Sequence, residues 1–112
     1  MDVALEYHRA WTSGHFREAS ALLADDLAVE VPINDYPTAA SFMEAVASFG
    51  GSAERVDLLT SLGGTEDAML LYDMTVPGLG TLRVVEHFTV HDGRIVRIRQ
   101  IHDTAAIRAI AG

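Results

Sequence analysis

Between Val56 and Asp103 the sequence alternates apolar and polar residues in runs cut at short intervals by turn residues, and this pattern constrains the fold more than anything else in the chain. Val56 to Leu62, Ala68 to Val76, Thr81 to His91 and Arg94 to Asp103 read as four strands. Their joints are Gly63-Gly64, Pro77-Gly78-Leu79-Gly80 and His91-Asp92-Gly93, each short enough to turn the chain back on itself. Asp92-Gly93 is the strongest of these signals, because a tight two-residue hairpin needs residues that tolerate positive φ. An antiparallel meander is therefore expected, and one of its apolar faces has to be covered by something else.

The cover comes from upstream. Val3, Tyr7, Ala10 and Trp11 recur at helical spacing and predict a first helix ending near Gly14. Phe16, Ala19, Leu22 and Leu23 repeat the pattern in a second, and the short Thr12 to His15 joint makes the two adjacent and roughly antiparallel. Leu27 to Ile33 carries β-branched residues at alternate positions and predicts a strand that runs into the turn Asn34-Asp35-Tyr36-Pro37. Phe42, Val46 and Phe49 mark a third helix, with Ser41 and Glu44 at capping-box spacing and Gly50-Gly51 as its stop. Helices that cover one face of a long antiparallel sheet make an α+β fold, and 112 residues suit one domain spanning 1–112.

Sixteen acidic residues against eight basic ones leave a formal net charge of −8, which argues against nucleic acid and anionic membranes as partners. No apolar run reaches the roughly 18 residues of a membrane span, and the N-terminus shows no basic stretch followed by an apolar one, so a cytoplasmic protein is expected. The absence of cysteine excludes disulfides, thiolate chemistry and cysteine-ligated zinc. The histidines make no metal constellation: His87 and His91 share a strand face but stand about 13 Å apart at strand rise, too far for one ion. No metal is expected.

Parity along the strands then selects the polar residues of interest. Leu82, Val84, Glu86, Phe88 and Val90 share one face, so Glu86 is the one charged residue on an apolar surface. Gln100 and His102 fall with Val96 and Ile98 and project to the same side, opposite Ile95, Arg97, Arg99 and Ile101. A carboxyl group held in an apolar cavity is pushed towards its neutral form. The bland alternative is a structural pair with Arg83, Arg99 or His102, since an unpaired buried carboxylate costs several kcal/mol. His102 can move a proton near neutrality. Asp73 lies between two equally apolar faces and its direction stays open; Asp35 sits in the turn after Val31.

The stretch from Ala21 to Pro32 resembles the segment that carries a catalytic carboxylate in ketosteroid isomerases, with Val31 standing in the carboxylate's place. The order helix, helix, short strand, helix, long strands also resembles the nuclear transport factor two-like cone shared by those isomerases, SnoaL-like polyketide cyclases and limonene epoxide hydrolases. The resemblance covers nearly the whole chain and is most specific over Ser13 to Pro32 and Glu86 to Asp103. It implies a cone-shaped sheet wrapped around a pocket. Tyr7 and Glu86 match the tyrosine and protonated acid that steady an enolate oxygen in the isomerases, and His102 matches a pocket wall. Trp11, Val31, Asp73 and Gln100 are the accompanying ligand-binding candidates. Gln100 stands where the cyclases and hydrolases keep an aspartate, so both customary bases are missing.

Two functions fit. One is cofactor-free proton transfer next to a carbonyl, or a related cyclisation, on a small apolar polyketide- or steroid-like ligand, with Tyr7, Glu86 and His102 as the catalytic residues. The other is a non-catalytic ligand-binding or dimerisation module that has lost the family's base. Cones of this kind often pair through the sheet, and Val85, Ile101 and nearby Ile95 leave apolar area on its outer face, so a homodimer through the sheet is expected.

Overall fold

The computed structural model describes residues 1–105; residues 106–112 of the expected domain lie outside the described part. The elements are α1 (Asp2–Thr12), α2 (Phe16–Ala21), β1 (Leu23–Glu30), α3 (Ala39–Ala45) continuing as a π-helical turn (Val46–Gly50), β2 (Arg55–Gly63), β3 (Asp67–Val76), β4 (Gly80–His91) and β5 (Arg94–Ile101). They form an α+β fold whose single five-stranded sheet has the order β1-β5-β4-β3-β2. β2 to β5 are the expected antiparallel meander, and β1 joins its far edge parallel to β5.

α1 buries Ala4, Tyr7, His8, Ala10 and Trp11 along one stripe; Ala4 and His8 join the predicted face, and Val3 is only half-buried. It stops in a glycine-dependent cap: Gly14 has φ 80°, its N–H donates to the Trp11 carbonyl, and the His15 N–H donates to the Ala10 carbonyl at 2.8 Å. At the other signalled turn, Asp92 and Gly93 have φ 51° and 75°, the two positive angles of a tight hairpin.

β5 ends at Ile101 rather than Asp103, and three boundaries before the meander also differ from the sequence expectation. α2 ends at Ala21, and Leu23 is already in β1, buried at 5% exposure and paired with Ile95. β1 runs Leu23–Glu30 rather than Leu27 to Ile33 because its partner β5 is distant in sequence, and its ladder slips between Leu23 and Ala28. Pro32, which has no N–H, then ends the strand's usefulness as a donor. α3 is capped by Thr38 instead of Ser41: the Thr38 hydroxyl accepts from the Ser41 N–H at 3.0 Å, and the Ser41 hydroxyl accepts from the Thr38 N–H at 3.2 Å. Ser41 thus fills the reciprocal place expected for Glu44.

The sheet is bent by irregularities that parity does not foresee. Thr89 pairs with Arg97 and Val90 with Ile95, which leaves Val96 as an extra residue in β5. Ile95 and Ile98 are consequently both fully buried, and Ile95 is removed from the outer face where strict alternation puts it. Leu59 is the corresponding extra residue in β2, between the Leu58 and Thr60 pairs. Bulges of this kind curl a sheet, and the concave side receives α1 and α3. Leu70, Phe88, Ile95 and Ile98 form the fully buried floor on which Tyr7 packs. Among the described residues no helix is long and apolar enough to cross a membrane.

Candidate functional site

A cavity of about 220 Å³ opens between the concave sheet and the helices. Its apolar floor is Met74, Leu82 and Val84, and Tyr7, Trp11 and Phe42 come down on it from the helices. Trp11 reaches in because Gly50 makes room: a Cβ on Gly50 would stand 3.1 Å from the indole ring. The loop after β1 closes one side. There Ile33 adopts φ 75° inside a three-residue turn in which the Asn34 N–H donates to the Pro32 carbonyl at 2.8 Å. Positive φ in a β-branched residue is strained, and the turn presents Pro32, Ile33 and Asn34 to the cavity.

Glu86 lies at the back of this space, 1% exposed. Strand register places Gln100 directly beside it on β5 and Leu70 on β3. The Gln100 Nε2 group donates to Glu86 Oε2 at 2.6 Å, and the Tyr72 hydroxyl donates to Oε1 at 3.3 Å. Burial pushes the Glu86 carboxyl up to about 7, with the Gln100 and Tyr72 donors pulling it partway back. Of the structural partners foreseen for Glu86, Arg83 pairs with Asp73, Arg99 pairs with Glu30 at 3.2 Å, and His102 bonds the Asp103 carbonyl at 3.0 Å. Two neutral side chains hold the acid in their place.

Tyr7 packs edge-on against Phe88 at 5.7 Å between ring centres, and its hydroxyl has no hydrogen-bond partner among the described residues. Burial, and secondarily the Glu86 charge, push the Tyr7 phenol well above its ordinary value, so it stays a donor. Tyr72 is held between His8, at 5.0 Å, and Trp11, at 5.8 Å. His8 is itself buried, its Nδ1 without a partner among the described residues, and burial lowers its imidazole to about 4, which keeps it neutral.

Six of the seven residues singled out from the sequence, Tyr7, Trp11, Val31, Glu86, Gln100 and His102, line this one cavity. Asp73 does not. It lies on the outer face, where the Arg83 guanidinium donates to both its oxygens at 2.8 and 2.9 Å and holds the carboxyl below its ordinary range. Tyr72 and Met74 take the inner face at that point in β3, which settles the direction that the pattern left open. Asp35 is exposed and forms no part of the lining. Tyr72 is the contact that sequence reasoning missed. Its alternation with Leu70 and Met74 was the available signal, but nothing local says that its hydroxyl reaches the next strand.

A helix-covered, bulged five-stranded sheet around an apolar cavity with one buried acid defines a nuclear transport factor two-like α+β cone. Within that class the chain belongs to the SnoaL-like domain family, whose model matches residues 4–98. A crystal structure of a protein from Kribbella flavida is similar, with 31% identity, a TM-score of 0.91 and coverage of 98% of this chain and 91% of that one. An NTF2-like protein of unknown function from Cytophaga hutchinsonii has 17% identity and a TM-score of 0.79, covering 99% and 93% of the two chains. A steroid delta-isomerase from Pseudomonas aeruginosa has 17% identity and a TM-score of 0.78, covering 98% and 90%. The last two likenesses concern the fold alone. No curated protein sequence matches the chain.

Proposed function

We propose that this is a small-molecule pocket protein that moves a proton next to a carbonyl of an apolar ligand, without a cofactor. The observation that carries the reading is the presence of a buried carboxyl, Glu86, and a tyrosine hydroxyl, Tyr7, unengaged among the described residues, in one cavity whose other walls are largely apolar and aromatic. Such a cavity strengthens a hydrogen bond to an oxygen on which charge develops, because little water screens it. The fold likeness to a steroid isomerase is in keeping with ring-shaped ligands. At about 220 Å³ the space lies below the roughly 300–1,000 Å³ common for ligand pockets, which favours a compact ring system over an extended one.

The test is binding of 2-naphthol, an aromatic enol that mimics the intermediate of such a reaction. Trp11 is the sole tryptophan and lines the cavity, so its fluorescence reports occupancy. Removing one buried hydrogen-bonding partner costs on the order of 1–3 kcal/mol, so Tyr7→Phe and Glu86→Gln should each weaken binding about tenfold or more. Equal affinities for wild type and both variants would remove the reading.

A second reading, a ligand-binding or dimerisation module without chemistry, is favoured by Val31, a hydrocarbon in the cavity wall where the resembled isomerases keep a carboxylate. Both readings share the proposed homodimer. Leu71, Val85 and Ile101 pair across three strands as one apolar row on the outer face, with Ile101 70% exposed and Leu62 and Met69 exposed beside it. An apolar row of that extent on an otherwise acidic chain is suited to a second copy of the same sheet.

A further inference from the structure

Val31 and Gln100 occupy both places where the resembled families keep a base, and His102, the proton carrier expected from the sequence, has its Nδ1 bonded to the Asp103 carbonyl at 3.0 Å. We infer that Glu86 is itself the base, accepting a proton from the ligand carbon and returning it, with Gln100 and Tyr72 as positioning residues that hold its carboxylate form. The inference rests on the pocket reading above and assigns its central step.

The geometry of the two donors carries it. An acid whose task is to donate to an oxyanion needs a proton on one oxygen, directed at the ligand. At Glu86 both oxygens instead receive donors, Oε2 from Gln100 at 2.6 Å and Oε1 from Tyr72 at 3.3 Å. An amide N–H₂ donates and cannot accept, so the short Gln100 contact favours the ionised carboxylate. Tyr72 is fixed for the purpose by its packing between His8 and Trp11, neither of which supplies a charge: burial keeps His8 neutral and indole has none. Among the described residues no cation compensates either. Arg83 and Arg99 are engaged with Asp73 and Glu30, and the remaining titratable groups lining this cavity are Tyr7 from α1, Tyr36 from the loop before α3 and His102 beyond β5. A carboxylate held by neutral donors alone in a buried site remains basic. Its value of about 7 leaves both protonation states populated at neutrality, as a group that takes and returns a proton requires.

The step balances without a further reactant. Glu86 removes the proton from the carbon next to the carbonyl. The electron pair of that C–H bond becomes the C=C bond of the enolate, and the carbonyl π pair moves to oxygen, which receives the Tyr7 hydroxyl hydrogen bond. Return of the proton from the Glu86 carboxyl restores the carboxylate; delivery to the same carbon regenerates the starting ketone, and delivery to a conjugated one gives its isomer. Tyr7 keeps its proton throughout.

The experiment is deuterium exchange into 2-tetralone, a two-ring ketone, followed by NMR at saturating ketone between pH 5 and 9, alongside 2-naphthol binding. Wild type should exchange faster than buffer, with a rate that rises to a plateau through a midpoint near pH 7. Glu86→Gln should lose about 10²-fold or more of the saturated rate, a larger loss than its loss of 2-naphthol affinity. Gln100→Leu and, separately, Tyr72→Phe should each move the midpoint to higher pH, since each loses a donor that favours the carboxylate; a structural defect would lower the rate without moving it. Absence of 2-naphthol binding to the wild type would overturn the pocket reading and this one with it. Three results would overturn the assignment alone: binding without exchange, a wild-type saturated rate in Glu86→Gln, or a midpoint unmoved in both donor variants. A wild-type rate in Glu86→Gln would pass the role to His102.

Discussion

Replacing Glu86 by glutamine should make the protein more stable at neutral pH, although it alters one of the most buried side chains in the fold. The folded protein holds this carboxyl at about 7 against an ordinary value of 4.5. Below pH 4.5 the group is protonated in both the folded and the unfolded chain and costs nothing. As pH rises from 4.5 towards 7 the unfolded chain releases its proton while the folded chain retains it, so stability falls, by about 3 kcal/mol once the pH exceeds the folded value. Glutamine is neutral throughout. It keeps an oxygen that can accept the Gln100 N–H and adds an N–H₂ that can donate to the Tyr72 hydroxyl, so little packing is lost. His8 acts in the opposite sense over much the same range. Its folded value of about 4 lies below the ordinary 6.5, so its contribution is present above 6.5 and lost as pH falls towards 4. In wild type the two slopes nearly cancel between pH 4.5 and 6.5. In Glu86→Gln the His8 slope is unmasked, and stability should climb from pH 4 to 6.5 and then stay level. Urea unfolding of both proteins at intervals from pH 4 to 8.5 measures this, since all other titrating groups cancel in the difference. A difference that stays constant across the range would refute the reasoning, because it would mean that burial does not hold the Glu86 proton.

The outer face of the sheet yields two further expectations. Asp73→Asn removes the partner of Arg83 but lies on the side away from the cavity, so 2-naphthol affinity should be unchanged, and a tenfold loss would show that β3 presents the other face. Pairing through the Leu71, Val85 and Ile101 row predicts a dimer of wild type at micromolar concentration in sedimentation velocity and a monomer of Val85→Lys; a monomeric wild type would count against the pairing.

Much of this molecule was legible in its sequence, for reasons that are local. The helix stripes and the Asp92-Gly93 hairpin are short-range patterns, and burying an apolar stripe has few solutions once they are given. The position of Glu86 followed from the same logic: in an alternating strand an acid between Val84 and Phe88 has to face inward with them. Where the local pattern was balanced, as at Asp73 between two apolar faces, it was silent. The pair Leu22-Leu23 misled for a related reason, since two apolar residues after a helix satisfy a helical stripe and a strand equally well, and only the parallel ladder to β5 separates them.

The sequence by itself determined the kinds of element, their order and, wherever one face of a strand was clearly more apolar than the other, as in β4, the side that meets the core, because these follow from side-chain period and turn chemistry. The tertiary structure decided the register. One extra residue at Val96 brings Ile95 and Ile98 onto the same buried face, and the pairing of β4 with β5 sets Gln100 against Glu86. The hydroxyl of Tyr72 completes that arrangement across the β3–β4 pair. Such contacts join residues far apart in sequence, and their energy depends on distances of a few tenths of an ångström that no one-dimensional pattern carries. The acid was therefore readable from the chain, while the partners that decide its proton affinity belong to the fold.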